Sequence, residues 1–158
     1  MEEVTTNEEL GCLMRLAKGQ TVLELGSWHG RSTLALSSTA KVVHAVDWFR
    51  GDPHAGEGDT LRSYLDSTRD VGNIVTHIGR FEDVLPVLGK NFGLIFLDAF
   101  HTYESVCKDI GLALPHLRKG GIMVFHDYGL EQFGVTQAVD EKFSEVEVFC
   151  SLAIVRNR

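Results

Sequence analysis

Three groups of residues in this 158-residue chain have types and spacings suited to chemistry. The first is Val22-Leu23-Glu24-Leu25-Gly26-Ser27-Trp28-His29-Gly30-Arg31-Ser32-Thr33, an apolar run that enters a glycine-spaced turn and then a helix start. Gly26 and Gly30 let the backbone pass close to a ligand. The second is Asp47, which closes the apolar run Val42-Val43-His44-Ala45-Val46 and can accept hydrogen bonds from ribose hydroxyls. Together these two form the layout of a nucleoside-binding first half of a doubly wound sheet. The glycine spacing is E-x-G-x-x-x-G, not the G-x-G-x-x-G that seats a pyrophosphate on a helix N-terminus. A carboxylate from Glu24 at the strand tip would repel a pyrophosphate and suit a ligand carrying an amino group and a sulfonium. A nicotinamide-dependent oxidoreductase is therefore disfavoured. The third group is Asp98, His101 and the pair His126-Asp127, at the ends of two later apolar runs.

The elements that position these groups alternate. A helix capped within Thr5-Thr6-Asn7-Glu8-Glu9 carries Leu10, Leu13, Met14 and Ala17 and stops at Lys18-Gly19. Strands are expected at about Thr21–Leu25, Lys41–Val46, Asn73–Ile78 and Ile122–Phe125, and Gly93–Leu97 reads as a central strand buried on both faces. Helices fall between them, including a stripe Val106, Ile110, Ala113, Leu114 and Leu117 stopped by Gly120-Gly121, with Arg118-Lys119 at its end. Pro86 fits a short helix only in its first turn. A hairpin across Cys150-Ser151 closes the chain. This order predicts an α/β fold with a parallel, doubly wound, Rossmann-like sheet. In such sheets ligands bind beyond the carboxyl ends of the strands, where Glu24, Asp47, Asp98, His126 and Asp127 all lie. Asp98 and Asp127 would repel each other without a cation between them, and no Arg or Lys stands near either in sequence. Mg²⁺ or Mn²⁺ suits such oxygen ligands.

The segment from Glu24 to Asp47 resembles the cofactor motif of class I S-adenosylmethionine-dependent methyltransferases. The resemblance implies a mostly parallel seven-stranded sheet with an antiparallel C-terminal strand. It also implies a cofactor site at Glu24, Gly26, Gly30 and Asp47, with Trp48 and Phe81 available to cover the two adenine faces. Asp98, His101 and Asp127 are similar to the acid, histidine and acid of sugar O-methyltransferases of macrolide pathways. That implies a metal held by Asp98, Asp127 and His126, with Asp98 and His101 catalytic and His101 as the base. His126 stands where that family carries an acid. The loop Asp47–Gly56 resembles a broader group of methyltransferase-like domains often called family 24, and it belongs to a longer loop, Trp48–Asp59, rich in Gly, Asp and His.

The bulk numbers agree with a small enzyme. No repeat, linker or composition shift divides residues 1–158, so a single domain is expected. A net charge of −7 argues against nucleic acid as partner. Three dispersed cysteines suit a reducing compartment; Cys107 and Cys150 read as small core residues. An acidic start and the lack of a long apolar run predict a cytoplasmic protein without a membrane span. The expected activity is methyl transfer to a small hydroxylated molecule, a sugar by resemblance. The alternative is a cofactor-binding or regulatory protein without turnover. The cleft lacks a covering insertion, which leaves room for a partner subunit in a homo-oligomer.

Overall fold

The computed structural model describes residues 4–51 and 58–158. Its elements, in chain order, are α1 (Asn7–Ala17), β1 (Thr21–Leu25), α2 (Arg31–Ser37), β2 (Val42–Asp47), α3 (Leu61–Thr68), β3 (Ile74–Ile78), α4 (Phe81–Val84), β4 (Phe92–Leu97), α5 (Tyr103–Ala113), β5 (Leu117–Phe125), α6 (Val135–Lys142), β6 (Glu147–Phe149) and β7 (Leu152–Arg156). The seven strands form one sheet in the order β3-β2-β1-β4-β5-β7-β6. β1 to β5 run parallel, and β7 is antiparallel to both of its neighbours. The Rossmann-like expectation therefore holds. The loop Trp48–Asp59 lies partly outside the described residues, at positions 52–57.

Register is what makes a site. Leu25 pairs with both Val46 and Leu97, and Leu97 pairs with Phe125, so four parallel strands end in one row. The next residue of each strand therefore emerges along one edge: Gly26, Asp47, Asp98 and His126. Three backbone bonds hold that row one step further, from Gly26 N to Val46 O, Asp98 N to Leu25 O, and His126 N to Leu97 O, at 3.0–3.1 Å.

Both sheet faces are covered. Leu23, Leu25, Val46, Ile95, Leu97, Met123 and Phe125 meet the apolar faces of α5 and α6. Val22, Val43, Leu94, Phe96 and Val124 meet α1 and α2 on the other face. Every residue of β4 is buried, as its unbroken apolar run requires. Thr6 and Glu9 close a capping box at the start of α1, where each bonds the other's backbone N–H.

Three details differ from expectation. Leu117 is not the last helical residue: α5 ends at Ala113, a 3-10 turn containing Pro115 follows, and Leu117 opens β5. Arg118-Lys119 therefore lies in a strand. Gly120-Gly121 sits inside that strand at an irregularity, where β4 advances from Phe92 to Leu94 while β5 advances from Leu117 to Ile122. Cys150 is an exposed turn residue with φ +52°, not a core strand residue.

Candidate active site

The turn after β1 is built around a buried acid. Glu24 is fully buried, and its carboxylate accepts from Ser27 Oγ at 2.9 Å, Ser32 Oγ at 2.5 Å and Thr33 Oγ1 at 2.5 Å. Its expected role corrects accordingly: it ties β1 to the first turn of α2, and it does not line the cleft. Burial raises its pKa to about 7, against the lowering effect of the three hydroxyls. Gly26 has φ +93°, and a Cβ there would lie 2.1 Å from the Asp98 carbonyl oxygen. Two strand ends thus touch through their backbones, and only glycine fits. Gly30 also has φ +91°, but a Cβ there would meet Tyr64 and Thr68 at 3.2 Å. It is a packing glycine between α2 and α3 and lies outside the lining of the cleft, against its expected ligand contact.

Asp47 organises the same turn from the other side. Its Oδ2 accepts from Ser27 N and Trp28 N, both at 2.9 Å, and its Oδ1 accepts from Phe49 N at 2.8 Å. A carboxylate has about four acceptor directions. One remains for a ribose hydroxyl, fewer than two free oxygens would have offered. Asp47 does line the cleft, as do Gly26, Trp48 and Phe81. One face of Trp48 is occupied by Arg80, whose guanidinium carbon lies 4.8 Å from the ring.

The cleft has a volume of about 460 Å³. It runs along the strand tips from Gly79, Arg80 and Phe81, after the edge strand β3, past Asp47 and Gly26 to Asp98, Ala99, Phe100 and His101. Val4, Thr5, Arg31 and Ser32 also border it. A pocket of this size with a few convergent polar groups can hold a nucleoside-sized ligand.

At one end stands an acid–imidazole cluster. His101 Nε2 lies 2.6 Å from Asp127 Oδ2 and 3.7 Å from Asp98 Oδ1. His126 Nδ1 lies 3.3 Å from Asp98 Oδ1 and 3.2 Å from Asp127 Oδ1, while its Nε2 lies 3.3 Å from Glu9 Oε2. Glu9 also accepts from Ser151 N at 2.9 Å and Ser151 Oγ at 2.5 Å, so α1 is tied to the β6–β7 hairpin. Burial alone would lower both histidines, but the two carboxylates push His101 up to about 9 and His126 up to about 11. Burial likewise opposes ionisation of Asp98, yet the imidazoles bring it down to about 2.

This network corrects two expectations. The carboxylates are compensated without Arg or Lys, by imidazoliums from His101 and His126. His126 also leaves the ligand set on geometry: it lies between Glu9 and the two aspartates, outside the group of converging donor atoms. The donor atoms that converge within 4.8 Å belong to Asp98, His101 and Asp127. His101 Nε2, His126 Nδ1 and Asp127 Oδ1 are buried with no hydrogen bond, so these close contacts are ion pairs with misdirected N–H bonds. Orphaned polar atoms around two carboxylates fit a small cation. The charge on His126 opposes it.

Several residues were not singled out from sequence. Glu9 appeared only as a cap, and Arg31 only as part of the motif. Asp109 is buried at 8% exposure on the sheet side of α5, borders the cleft and has its pKa raised by burial to about 7. A charged residue inside the helical stripe Val106, Ile110, Ala113 was its visible signal.

Comparisons with known proteins agree with this architecture. A family model described as a methyltransferase domain matches residues 23–128, from the start of the motif strand to just beyond Asp127. A curated relative, an uncharacterised protein of Acanthamoeba polyphaga mimivirus, is 28% identical over 116 residues, which is 68% of this chain. The chain spans about half the length of that relative, 51%. Among solved structures, the O-methyltransferase NovP superposes with a TM-score of 0.76 at 18% identity, covering 98% of this chain and 83% of NovP. The O-methyltransferase TomG from Streptomyces achromogenes, solved with S-adenosylmethionine, has a TM-score of 0.67 at 19% identity, covering 87% of this chain and 67% of TomG. At such identities the likeness is one of fold.

Proposed function

Because the chain belongs to the methyltransferase-domain family, we propose that it binds S-adenosylmethionine in the strand-tip cleft and transfers the methyl group to a hydroxyl of a small acceptor. One observation carries this reading: the cofactor-type turn and the acid–imidazole cluster are a single place. Gly26 and the Asp98 carbonyl are in such close contact that a Cβ would lie 2.1 Å from that oxygen. A group held by the turn therefore has its far end beside Asp98 and His101. The cleft fits the cofactor in size, with Asp47 for the ribose and Trp48, Phe81 and Phe100 among its walls.

When bound, the cofactor supplies a methyl already activated on a sulfonium. The protein's share is alignment and proton removal. Alignment of reacting groups contributes up to roughly 7–11 kcal/mol in well-oriented cases. His101, oriented by Asp127, takes the acceptor's proton. Its high pKa makes that step pH-dependent, since only about one molecule in a hundred would carry a neutral His101 at pH 7. We further propose that Asp98, Asp127 and His101 can instead hold a divalent cation, Mg²⁺ or Mn²⁺, which would acidify the hydroxyl. The imidazole favours Mn²⁺ of the two. A sugar as acceptor rests on the similarity of Asp98, His101 and Asp127 to the sugar O-methyltransferases.

A second reading is a cofactor-binding protein without turnover. It is favoured by the internal neutralisation of the acid cluster by His101 and His126. Calorimetry with S-adenosylhomocysteine tests the shared part: no binding would end both readings. Turnover on a panel of hydroxylated compounds, with EDTA and with added Mn²⁺, separates them. The first predicts methylated product that is lost in His101→Ala while S-adenosylhomocysteine affinity is kept.

A further inference from the structure

Besides His101, three cationic side chains among the described residues border the cleft: Arg31, Arg80 and Lys108. Two of them, Arg80 after β3 and Lys108 on α5, face the same acid. Lys108 Nζ lies 3.3 Å from Glu82 Oε1, and Arg80, stacked on Trp48, lies 4.0 Å from the same oxygen. Arg31 is different. It opens α2, directly after the motif turn, on the side where β1 and β4 end. Its guanidinium donates to the Thr5 carbonyl and, at 2.8 Å, to Asn7 Oδ1. Both acceptors are neutral, and among the described residues no carboxylate lies within ion-pair distance of Arg31. A guanidinium has five N–H donors, so three remain beyond these two bonds.

The fold orders the ligand along this cleft. Asp47, Trp48 and Phe81 stand on the β2–β3 side and mark the nucleoside end. Gly26 and Asp98 stand at the centre. What extends beyond them toward Thr5 and Arg31 is the part of the ligand farthest from the base. Resting on the cofactor reading above, we propose that Arg31 anchors the α-carboxylate of the cofactor's amino-acid end. The extended strap Val4–Thr6 holds the guanidinium in place for it. Planar fork geometry and a charge that no carboxylate among the described residues pairs suit a carboxylate, and an Arg already fixed by two bonds loses little freedom on pairing. The strap is thus part of the cofactor site. It also couples that site to α1, because Thr6 caps α1 and Asn7 is its first residue.

Two probes separate the charge from the rest of the cleft. S-adenosylhomocysteine carries the carboxylate; 5′-methylthioadenosine has the same nucleoside and lacks the amino-acid end. Arg31→Gln keeps an amide donor for the strap and removes the charge. Calorimetry should show its S-adenosylhomocysteine affinity falling at least tenfold, with 5′-methylthioadenosine changed less than twofold. Arg31→Met should behave the same way, and either variant that folds suffices, since each affinity ratio is internal to one protein. Equal losses for both probes, or an unchanged S-adenosylhomocysteine affinity, would overturn the assignment of Arg31 while leaving the cofactor reading standing. Wild-type protein that binds neither probe would overturn both.

Discussion

Glu24 should make the wild-type fold lose stability as pH rises from about 4.5 to 7, and Glu24→Gln should remove that loss. The carboxyl is fully buried and reaches a pKa of about 7, against an ordinary 4.5. Such a group binds its proton more tightly folded than unfolded. Its penalty is therefore absent below the unfolded value, grows as pH passes from about 4.5 to 7, and is constant above. At about 1.4 kcal/mol per pH unit, the total is about 3 kcal/mol. Gln cannot ionise, but its NH₂ accepts no hydrogen bond, so only its Oε1 can serve the three hydroxyls that Glu24 receives. The variant thus carries a constant cost of roughly 1–3 kcal/mol from a hydroxyl left without an acceptor. Asp109 and the histidines titrate in both proteins and largely cancel in the difference. Urea unfolding of both proteins across this range should show wild type falling by about 3 kcal/mol relative to the variant. A gap that stays flat from pH 4.5 to 8 would refute the reasoning, because Glu24 would then be ionised in both folded and unfolded chains.

Three further outcomes are expected. Asp47→Ala should weaken S-adenosylhomocysteine binding at least tenfold by calorimetry. It should also cost roughly 2–3 kcal/mol in unfolding experiments, because three backbone N–H groups lose their acceptor; full affinity would remove Asp47 from the site. Gly26→Ala should lose roughly 3 kcal/mol or more and abolish binding, since its Cβ meets rigid backbone rather than a movable side chain; a normal melting curve would show that the turn can open. Glu9→Ala should lose roughly 1–3 kcal/mol in unfolding experiments, because Ser151 N and Ser151 Oγ lose their acceptor while His126 keeps Asp98 and Asp127, and an unchanged unfolding midpoint would mean that the clasp adds nothing to the fold.

The parts legible in sequence were those set by local rules. Apolar runs marked the strands, and the capping box at Thr6 and Glu9 and the acid closing β2 were readable from neighbours a few residues away. Leu117 was misread because the apolar spacing of α5 continues past its end, and only the 3-10 turn at Pro115 breaks it. Gly120-Gly121 looked like a stop, whereas it eases a bulge that only the pairing with β4 reveals. The acid cluster was found as a set of strand ends, yet its charge balance was misjudged. Sequence neighbours of Asp98 and Asp127 include no Arg or Lys, and the actual counter-charges are imidazoles brought in by register. The Glu9–His126 contact, 117 residues apart, leaves no local signal. Glu24 was assigned to a ligand because a strand-tip acid and a buried hydroxyl acceptor look alike until Ser32 and Thr33 fold back onto it.

The clasp between Glu9 and Ser151 sets a timetable for synthesis. These partners are 142 residues apart, so the carboxylate waits for a hairpin made 142 residues later. Until Ser151 emerges from the ribosome, one oxygen of Glu9 lacks two of its donors, and the imidazole of His126 is held from one side only. The five parallel strands can pair before then, but Asp98 and Asp127 would sit beside a loosely tethered counter-charge. Nascent chains should therefore acquire the parallel strands before they acquire an ordered acid cluster, and the later-made β6–β7 hairpin would complete a centre assembled mostly from earlier segments.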